Sequence, residues 1–165
     1  MNQKYSFGTG KLTATPEGGE PVAFGTVQDV TIDVSFSDKE LRGERLFPVD
    51  VARTQGKVSI KAKFAEIDGK LFNSIFFGAE AVETVDGMTE ITLGNELMGA
   101  CPVFSLEFEN RFQGLVQKWE FPRVTASKLS FAYKNEDYVV PDLDMTAFAD
   151  GEGRVLVARF TNQAG

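Results

Sequence analysis

Apolar and polar residues alternate along most of this chain, which is the pattern of β-strands that bury one face. The longest run is FGTVQDVTIDVSFS, residues 24–37, where every second residue from Val30 to Phe36 is apolar. A second run, GKVSIKAKF at residues 56–64, places the apolar positions from Val58 to Phe64 on one face. Lysines occupy much of its other face, so we predict two amphipathic strands that pair with each other.

Five shorter segments carry similar alternation between breaks made by Gly, Pro, Asn and Asp. They are KLTATP at 11–16, VFSLEFENRF at 103–112, LVQKWEF at 115–121, KLSFAY at 128–133 and GRVLVARF at 153–160. Gly114 is the predicted hairpin turn between the second and third of these segments. The pattern therefore predicts a mostly β fold, a sandwich or small barrel of about seven strands.

One segment breaks the two-residue period and predicts a short α-helix beside the sheet. In DGKLFNSIFFG, residues 68–78, the apolar residues at helical spacing are Leu71, Phe72, Ile75 and Phe76. Asp68 is the expected N-cap and Gly78 the expected C-terminal stop. Residues 79–99 alternate only weakly, and both strand and loop stay open for them.

The charged stretch between the two long strands predicts a long inter-strand loop over residues 38–56. Hairpin loops commonly hold two to five residues, and a much longer one usually has a function. This loop contains Leu46, Phe47 and Val49, which gain little at a loop tip unless another surface covers them. Two interpretations stay open: the loop packs onto its own domain, or it contacts another subunit.

Length and composition bound the class of protein. A chain of 165 residues suits one domain spanning 1–165. No apolar run is long enough to span a membrane, and the first residues lack the layout of a signal peptide, so we expect neither spanning nor signal-directed export. The single cysteine, Cys101, excludes an intrachain disulfide and is expected to be buried beside Pro102.

The residue inventory argues against an enzyme and against a bound cofactor or metal. The sequence has no histidine and one cysteine, which excludes Ser-His-Asp, Cys-His and His- or Cys-based zinc sites. Glu107 and Glu109 share a strand face, as a pair of hydrolytic acids would, but alternate acids are more typical of a solvated face. The acidic segment PDLDMTAFADGEG, residues 141–153, lacks the EF-hand order and is interpreted as a solvated connection.

The net charge of −7 and the pI near 4.7 disfavour ordinary nucleic-acid binding, because an acidic surface repels phosphates. An acidic protein can still lie beside DNA without holding it.

Three segments in order carry a resemblance to a known family. They are FGTVQDVTIDVSF at 24–36, FPVDVARTQGKVSIKAKFAEIDGKLFNSIFFG at 47–78 and DYVVPDLDMTAFADGEGRV at 137–155. From about Gly25 to Val155 the chain resembles the major tail tube proteins of long-tailed bacteriophages, in particular those with contractile tails.

The resemblance implies a non-enzymatic β-sandwich or barrel with a helix at its side. It implies hexameric rings stacked into a tube, through which DNA passes without specific binding, in a virion tail assembled in the host cytoplasm. The implied partners are further copies and the tail sheath, baseplate and tail-terminator proteins, with no membrane. The loop would reach neighbouring subunits through Arg42, Arg45, Leu46, Phe47 and Val49.

The outward strand faces are the candidate lining of such a tube. Their acids are Asp33, Glu107, Glu109 and Glu120. The same faces also carry Lys57, Lys61, Lys63 and Lys118, so their summed charge is near zero. Either the lysines pair with acids, or a bulge changes the register, or the acidic surplus lies elsewhere.

Two other classes of protein stay open. A secretion-system tube protein of the haemolysin-coregulated type shares this architecture and ring. A monomeric ligand- or carbohydrate-binding β domain needs a concave aromatic site, for which Trp119, Tyr133 and Tyr138 are the candidates.

Overall fold

The computed structural model describes residues 7–25, 27–44, 46–48, 50–79, 81–94 and 101–161. The strands are β1 (Lys11–Pro16), β2 (Val22–Ala23), β3 (Val27–Leu41), β4 (Asp50–Phe64), β5 (Ala81–Glu83), β6 (Thr89–Ile91), β7 (Phe104–Phe112), β8 (Leu115–Ser130), β9 (Asp142–Phe148) and β10 (Val157–Phe160). One short helix, α1 (Gly69–Phe72), continues into a π-helical turn (Asn73–Phe77). The predicted mostly β fold with one short helix is confirmed.

Eight strands form one antiparallel sheet in the order β2-β1-β7-β8-β9-β4-β3, with β10 beside β8. The long strand β8 pairs with β7 along one edge. Along its other edge β9 pairs with residues 123–130 and β10 with residues 117–120. Strands β5 and β6 form a separate hairpin, which settles the ambiguous segment in favour of strand for those residues. Because β8 joins both halves of the sheet, it is the organising strand of the fold.

Hydrogen bonds from the beginning of the described chain roll the sheet up. Thr9 Oγ1 donates to the carbonyl oxygen of Val27, at the start of β3, over 3.1 Å. On β7, the side chain of Asn110 is only 4% exposed, and its Nδ2 donates to the carbonyl oxygen of Thr9 over 2.7 Å. Since β1 and β3 lie near opposite ends of the strand order, these bonds draw the two ends of the sheet together into a barrel-like shape.

The apolar face predicted for β4 lies in the core, whereas the apolar face predicted for β3 is only partly buried, and its Val34 and Phe36 are exposed. On β4 the buried side chains are Val58, Ile60, Ala62 and Phe64, and the lysines between them are exposed. The ring of Phe64 packs against Phe24 and Phe72, with centroids 5.1 and 5.9 Å apart. Burying one such side chain contributes about 1.5–3 kcal/mol, so this aromatic cluster stabilises the contact between the sheet and α1.

Both predicted ends of the helix are confirmed. The Asp68 carboxylate accepts a hydrogen bond from the backbone N–H of Lys70 over 3.0 Å, which satisfies a helix-end donor. Gly78 ends the helix with φ of 62°, a left-handed conformation that glycine adopts without strain. The side chain of Asn73 also forms two hydrogen bonds with the backbone of Ala79. Its Nδ2 donates to the carbonyl oxygen over 2.8 Å, and its Oδ1 accepts from the N–H over 3.1 Å. The chain is thereby fixed where it leaves the helix.

The predicted loop over 38–56 is wrong in its extent. Strands β3 and β4 stay paired to Leu41 opposite Asp50, so the described residues between them that lie outside the strands are 42–44 and 46–48. The charges between 38 and 41 led to the loop prediction. Charged side chains are compatible with a strand that is exposed on both faces, because the ladder bonds are made by main-chain groups and the charges stay in water.

Further boundaries differ on the C-terminal side. The segment at 128–133 is no separate strand, since β8 runs from 115 to 130 without a break. The acidic segment at 141–153, interpreted as a solvated connection, contains the core strand β9, which buries Leu143, Met145 and Ala147. Strand β10 begins only at Val157. Cys101, expected to be buried, is exposed.

Candidate functional site: a projecting arm, a groove at its base and a charged sheet face

The most distinctive feature of the molecule is a two-stranded arm, defined as residues 34–57. Strand β9 pairs with β4 only between Val58 and Lys63. Beyond Val58, the described residues place no strand on the other edge of β4, so β3 and β4 continue as a two-stranded ribbon. Every described residue of the arm except Pro48 is exposed. A long ribbon that is exposed on both faces is typical of a segment that docks on another surface.

Two local devices shape the arm where it leaves the core. The guanidinium carbon of Arg53 lies 4.3 Å from the centroid of the Phe36 ring, a cation–π contact. Opposite Phe36 stands Gly56, whose missing side chain leaves room for that ring: a Cβ there would lie 3.2 Å from it. Next to this pair, Thr54 forms a bulge, and its Oγ1 donates to the carbonyl oxygen of Ser37 over 3.0 Å. The bulge turns Arg53 onto the face that carries Phe36.

The arm ends in a tip, residues 42–49, with an apolar surface. Leu46 and Phe47 are 82% and 75% exposed, so they do not pack onto their own core. Arg42 forms an ion pair with Glu40 over 2.8 Å. Arg45 and Val49, which the sequence also assigned to this contact region, lie outside the described residues. The interpretation that the loop packs onto its own domain is wrong for Leu46 and Phe47, and contact with another subunit stays a prediction.

A groove lies at the base of the arm, where the inward face of β3 and β4 leaves the core. Its floor is formed by Val34, Phe36 and Val58, and its wall by Phe148 and Leu156 from the end of β9 and the segment before β10. Val34 and Phe36 are 44% and 51% exposed. The open volume is about 640 Å³. The described chain thus leaves an apolar surface uncovered next to its core.

The outward face of the sheet carries three of the four predicted lining acids in ion pairs. Glu107 and Glu120 stand opposite each other on β7 and β8. The Lys118 ammonium lies 3.2 Å from the Glu107 carboxylate and 3.6 Å from the Glu120 carboxylate. Arg159 on β10 contacts Glu120 over 2.8 Å. Hydrogen bonds from Arg159, with the charges of Arg159 and Lys118, hold the pKa of Glu120 below its usual value.

Glu109 pairs with Arg111, whereas Asp33 is exposed and forms no ion pair within the described part of the chain. Elsewhere on this face, cross-strand neighbours alternate in charge: Lys61 stands opposite Asp144, and Lys63 is flanked by Asp29 and Asp142, although none of these is within ion-pair distance. The explanation that lysines on this face pair with acids therefore applies around Lys118.

The residues considered for chemistry are dispersed or engaged. Asp150 and Glu152 both bind Arg154, and hydrogen bonds from the backbone of Arg154 lower the pKa of Asp150. Among the described residues there is no cluster of acids and cysteine fit to hold a metal. Trp119 packs with Phe121 and Phe160 rather than forming an open aromatic platform.

No helix in the described ranges is long and apolar enough to cross a membrane.

The groove could not be predicted from the sequence, because its wall lies at the end of β9, a strand that the sequence analysis did not predict. Phe148 was assigned to a connection, so its neighbourhood to Val34 and Phe36 was not foreseen. The available signal was the alternation of Leu143, Met145 and Ala147, which the adjacent acids obscured.

Comparison with known proteins gives matches to solved structures alone. No model of a protein family matches the sequence, and no curated protein does. A chain in the cryo-EM structure of the anti-feeding prophage baseplate, symmetrised six-fold, is similar with a TM-score of 0.58 at 7% identity, covering 98% of each chain. A chain in the tail of an empty gene transfer agent particle, with C6 symmetry, has a TM-score of 0.54 at 11% identity, covering 92% of this chain and 95% of that one.

A third match is a chain of the sheath-tube complex of an extracellular contractile injection system, PVC, in the extended state. Its TM-score is 0.53 at 11% identity, covering 96% of this chain and 94% of that one. Each match covers nearly the whole length of both chains, so it includes the arm as well as the sheet. This chain therefore shares its fold with chains of the anti-feeding prophage baseplate, of a gene transfer agent tail and of an extracellular contractile injection system.

Proposed function

We propose that this chain is a non-enzymatic structural subunit that forms hexameric rings, and that the rings stack into the tube of a phage-like tail. The observation that carries the proposal is the near full-length fold similarity to chains of a C6-symmetric tail and of a sheath-tube complex. In this reading residues 1–165 form a single tube domain.

The exposed arm supports assembly as the function. A monomer gains nothing from holding Leu46 and Phe47 in water at the end of a paired ribbon, whereas a neighbouring subunit would bury them. A contact between the tip of one copy and a different surface of the next is head-to-tail, and such contacts generate rings or filaments. The proposed contact residues are Arg42, Arg45, Leu46, Phe47 and Val49.

The outward face of the sheet is the proposed lining of the tube, with Asp33, Glu107, Glu109 and Glu120 among its side chains. Acids and bases in mutual ion pairs offer little attraction to a passing phosphate chain. Such a wall lets DNA move through without specific binding. The proposed partners outside the tube are sheath, baseplate and tail-terminator proteins, in a virion tail assembled in the host cytoplasm.

Electron microscopy of the purified protein at high concentration tests the proposal, together with sedimentation. We expect six-membered rings with a central channel, and tubes when a tail initiator complex is added. A protein that sediments as a monomer at high concentration, and still does so with the initiator, would contradict the proposal.

A second candidate is the tube of an injection system that delivers protein. The similarity to chains of contractile injection systems favours it, and a secretion-system tube of the haemolysin-coregulated type is the related case. Both candidates predict the same rings, so the contents of purified particles distinguish them: nuclease-protected DNA supports the phage-like tail, and co-purifying effector protein supports the injection system.

A further inference from the structure

The groove at the arm base is an apolar site that the described chain leaves open. Val34, Phe36 and Phe148 are each between 44% and 51% exposed there, although they adjoin the buried Val58 and Ala147. The groove volume of about 640 Å³ lies within the ~300–1,000 Å³ range of sites that bury a compact apolar group. Its size suits large side chains that are presented together.

The tip of the same molecule cannot fill this groove. Val58 is eight residues along β4 from Asp50, which is about 26 Å at ~3.3 Å per residue. Phe47 is three residues from Asp50 and Leu46 four, so a fully extended chain carries them only about 10–14 Å. The strand pairing of Leu41 with Asp50 also holds the tip away from the base. Leu46 and Phe47 therefore reach such a groove only on another molecule.

Charge at the two surfaces is complementary. Lys57 lines the groove and Arg53 lies over the Phe36 ring, and neither forms an ion pair within the described residues. The tip carries Glu44, and Asp50 follows it at the start of β4; neither is in an ion pair in the described part of the chain. The tip also carries Arg42, which pairs with Glu40, and Arg45, so residues 40–50 hold three acids and two arginines, a net charge of −1. Opposite charges around an apolar contact favour the correct partner and orientation.

We propose that the groove formed by Val34, Phe36 and Phe148 is the docking site for Leu46 and Phe47 of a second copy of this chain. The proposal rests on the proposed tube function and names the partner surface of its arm. The contact is head-to-tail: each copy offers a tip to one neighbour and a groove to another. The same contact accounts for both exposed apolar surfaces, because the tip of one copy would bury the groove of the next.

Crosslinking between two single-cysteine variants tests the docking. In a Cys101→Ser background, Val34→Cys and Leu46→Cys are purified separately with different tags, mixed under conditions of assembly and treated with a short bis-maleimide. We expect a mixed dimer that carries both tags. The matched control is Val85→Cys mixed with Leu46→Cys, because Val85 is fully exposed on the β5–β6 turn and distant in sequence from the groove. This control is expected to give no mixed dimer.

A blocking substitution provides a second measurement. Val34→Glu places a charge in the groove and is expected to lower the yield of crosslink between Phe148→Cys and Leu46→Cys by about tenfold or more. Its thermal melting should match that of the parent, since Val34 is half exposed.

The outcomes separate the two proposals. If rings or tubes form but Leu46→Cys crosslinks equally to Val85→Cys, or to neither site, the groove assignment is overturned while the tube function stands. If Val34→Glu leaves the crosslink yield unchanged, the groove assignment is overturned as well. If no assembly occurs under any condition and no crosslink forms, both proposals fall.

Discussion

Glu107 and Glu120 stand directly opposite each other on neighbouring strands, and a single side chain, Lys118, lies within 3.6 Å of both carboxylates. Like charges at opposed positions of a sheet destabilise it. Lys118 offsets this repulsion from within the same strand as Glu120, and Arg159 supports it from β10. This group of four side chains is the densest ion-pair network on the outward face among the described residues.

Replacing Lys118 by Met should lower the thermal midpoint at neutral pH by a small amount, on the order of a few °C, because the pairs are exposed. The pKa of Lys118 is raised, chiefly by its hydrogen bond to Glu107, and the pKa of Glu120 is lowered. The stability that Lys118 contributes is therefore lost only as pH rises through its folded-state pKa. The stability that Glu120 contributes is lost as pH falls through its folded-state pKa. Melting curves followed by circular dichroism at pH 7 and pH 3 measure the difference, which should shrink at pH 3.

Lys57→Met is the matched control for that substitution, because Lys57 lies on the same face and forms no ion pair within the described chain. An equal loss in both variants at pH 7 would show that the Lys118 pairs do not stabilise the sheet.

The double substitution Leu46→Ser and Phe47→Ser should abolish ring or tube formation and leave the melting temperature nearly unchanged. Both side chains are exposed in the subunit, so their removal costs the fold little. Sedimentation measures assembly and circular dichroism measures melting. Tyr138→Ser, at another exposed position, is the control. A loss of several kcal/mol of folding stability in the double variant would show that the tip packs internally.

Leu143→Ala should reduce the free energy of unfolding by about 2–5 kcal/mol, because it empties a fully buried position on β9. Leu41→Ala, at an exposed position of β3, should change it by less than about 0.5 kcal/mol. Urea denaturation gives both values. Similar values for the two variants would argue that residues 142–148 are not a core strand.

Asp68→Ala should cost roughly 1 kcal/mol, because it removes the side chain that caps the first turn of α1. Gly78→Ala should cost a similar amount by placing a Cβ on a left-handed backbone. Ser74→Ala, which removes only a bond from Ser74 Oγ to the carbonyl oxygen of Lys70, is the control and should cost less. Urea denaturation is again the measurement, and no change in the first two variants would contradict the assigned helix ends.

Asp33→Lys tests the proposed lining of the tube. Asp33 is exposed and opposite Ser59, so the substitution should leave folding and ring formation intact. If this face lines the channel, the added positive charges should slow the passage of DNA, and more so at low salt, where the screening length is greater than roughly 10 Å. DNA ejection rates at two salt concentrations give the answer. Asp86→Lys in the β5–β6 turn is the control, and equal rates in both variants would remove Asp33 from the channel.

The parts of the fold that follow a single periodicity could be predicted from the sequence. The alternation from Val58 to Phe64 predicted a buried face because both kinds of residue favour one orientation of the strand. The apolar residues are stabilised when they face the core, and the lysines between them are stabilised when they face water. The helix ends at Asp68 and Gly78 were predictable because each residue satisfies a local backbone requirement.

The remaining features depend on contacts between distant segments. Strand β9 lies between β4 and β8, and the acids Asp142 and Asp144 are compatible with a strand only because its other face meets the core. The pairing of β3 with β4 through residues 38–41 and 50–53 likewise depends on the partner strand and not on the charged side chains. The predicted contact and lining residues stay predictions. Of them, Arg42, Leu46 and Phe47 lie on the exposed tip, and Glu107, Glu109 and Glu120 are in ion pairs on the outward face.

Strand β4 runs without a break from Phe64 in the aromatic cluster to Asp50 at the end of the arm. The same backbone hydrogen-bond ladder therefore joins the core and the arm. For a ribbon that keeps its shape, a tilt of the body displaces Leu46 and Phe47 in proportion to the roughly 26 Å of strand between the core and the tip. In an assembly that holds the tip, the orientation of one subunit would thus be coupled to that of its neighbour.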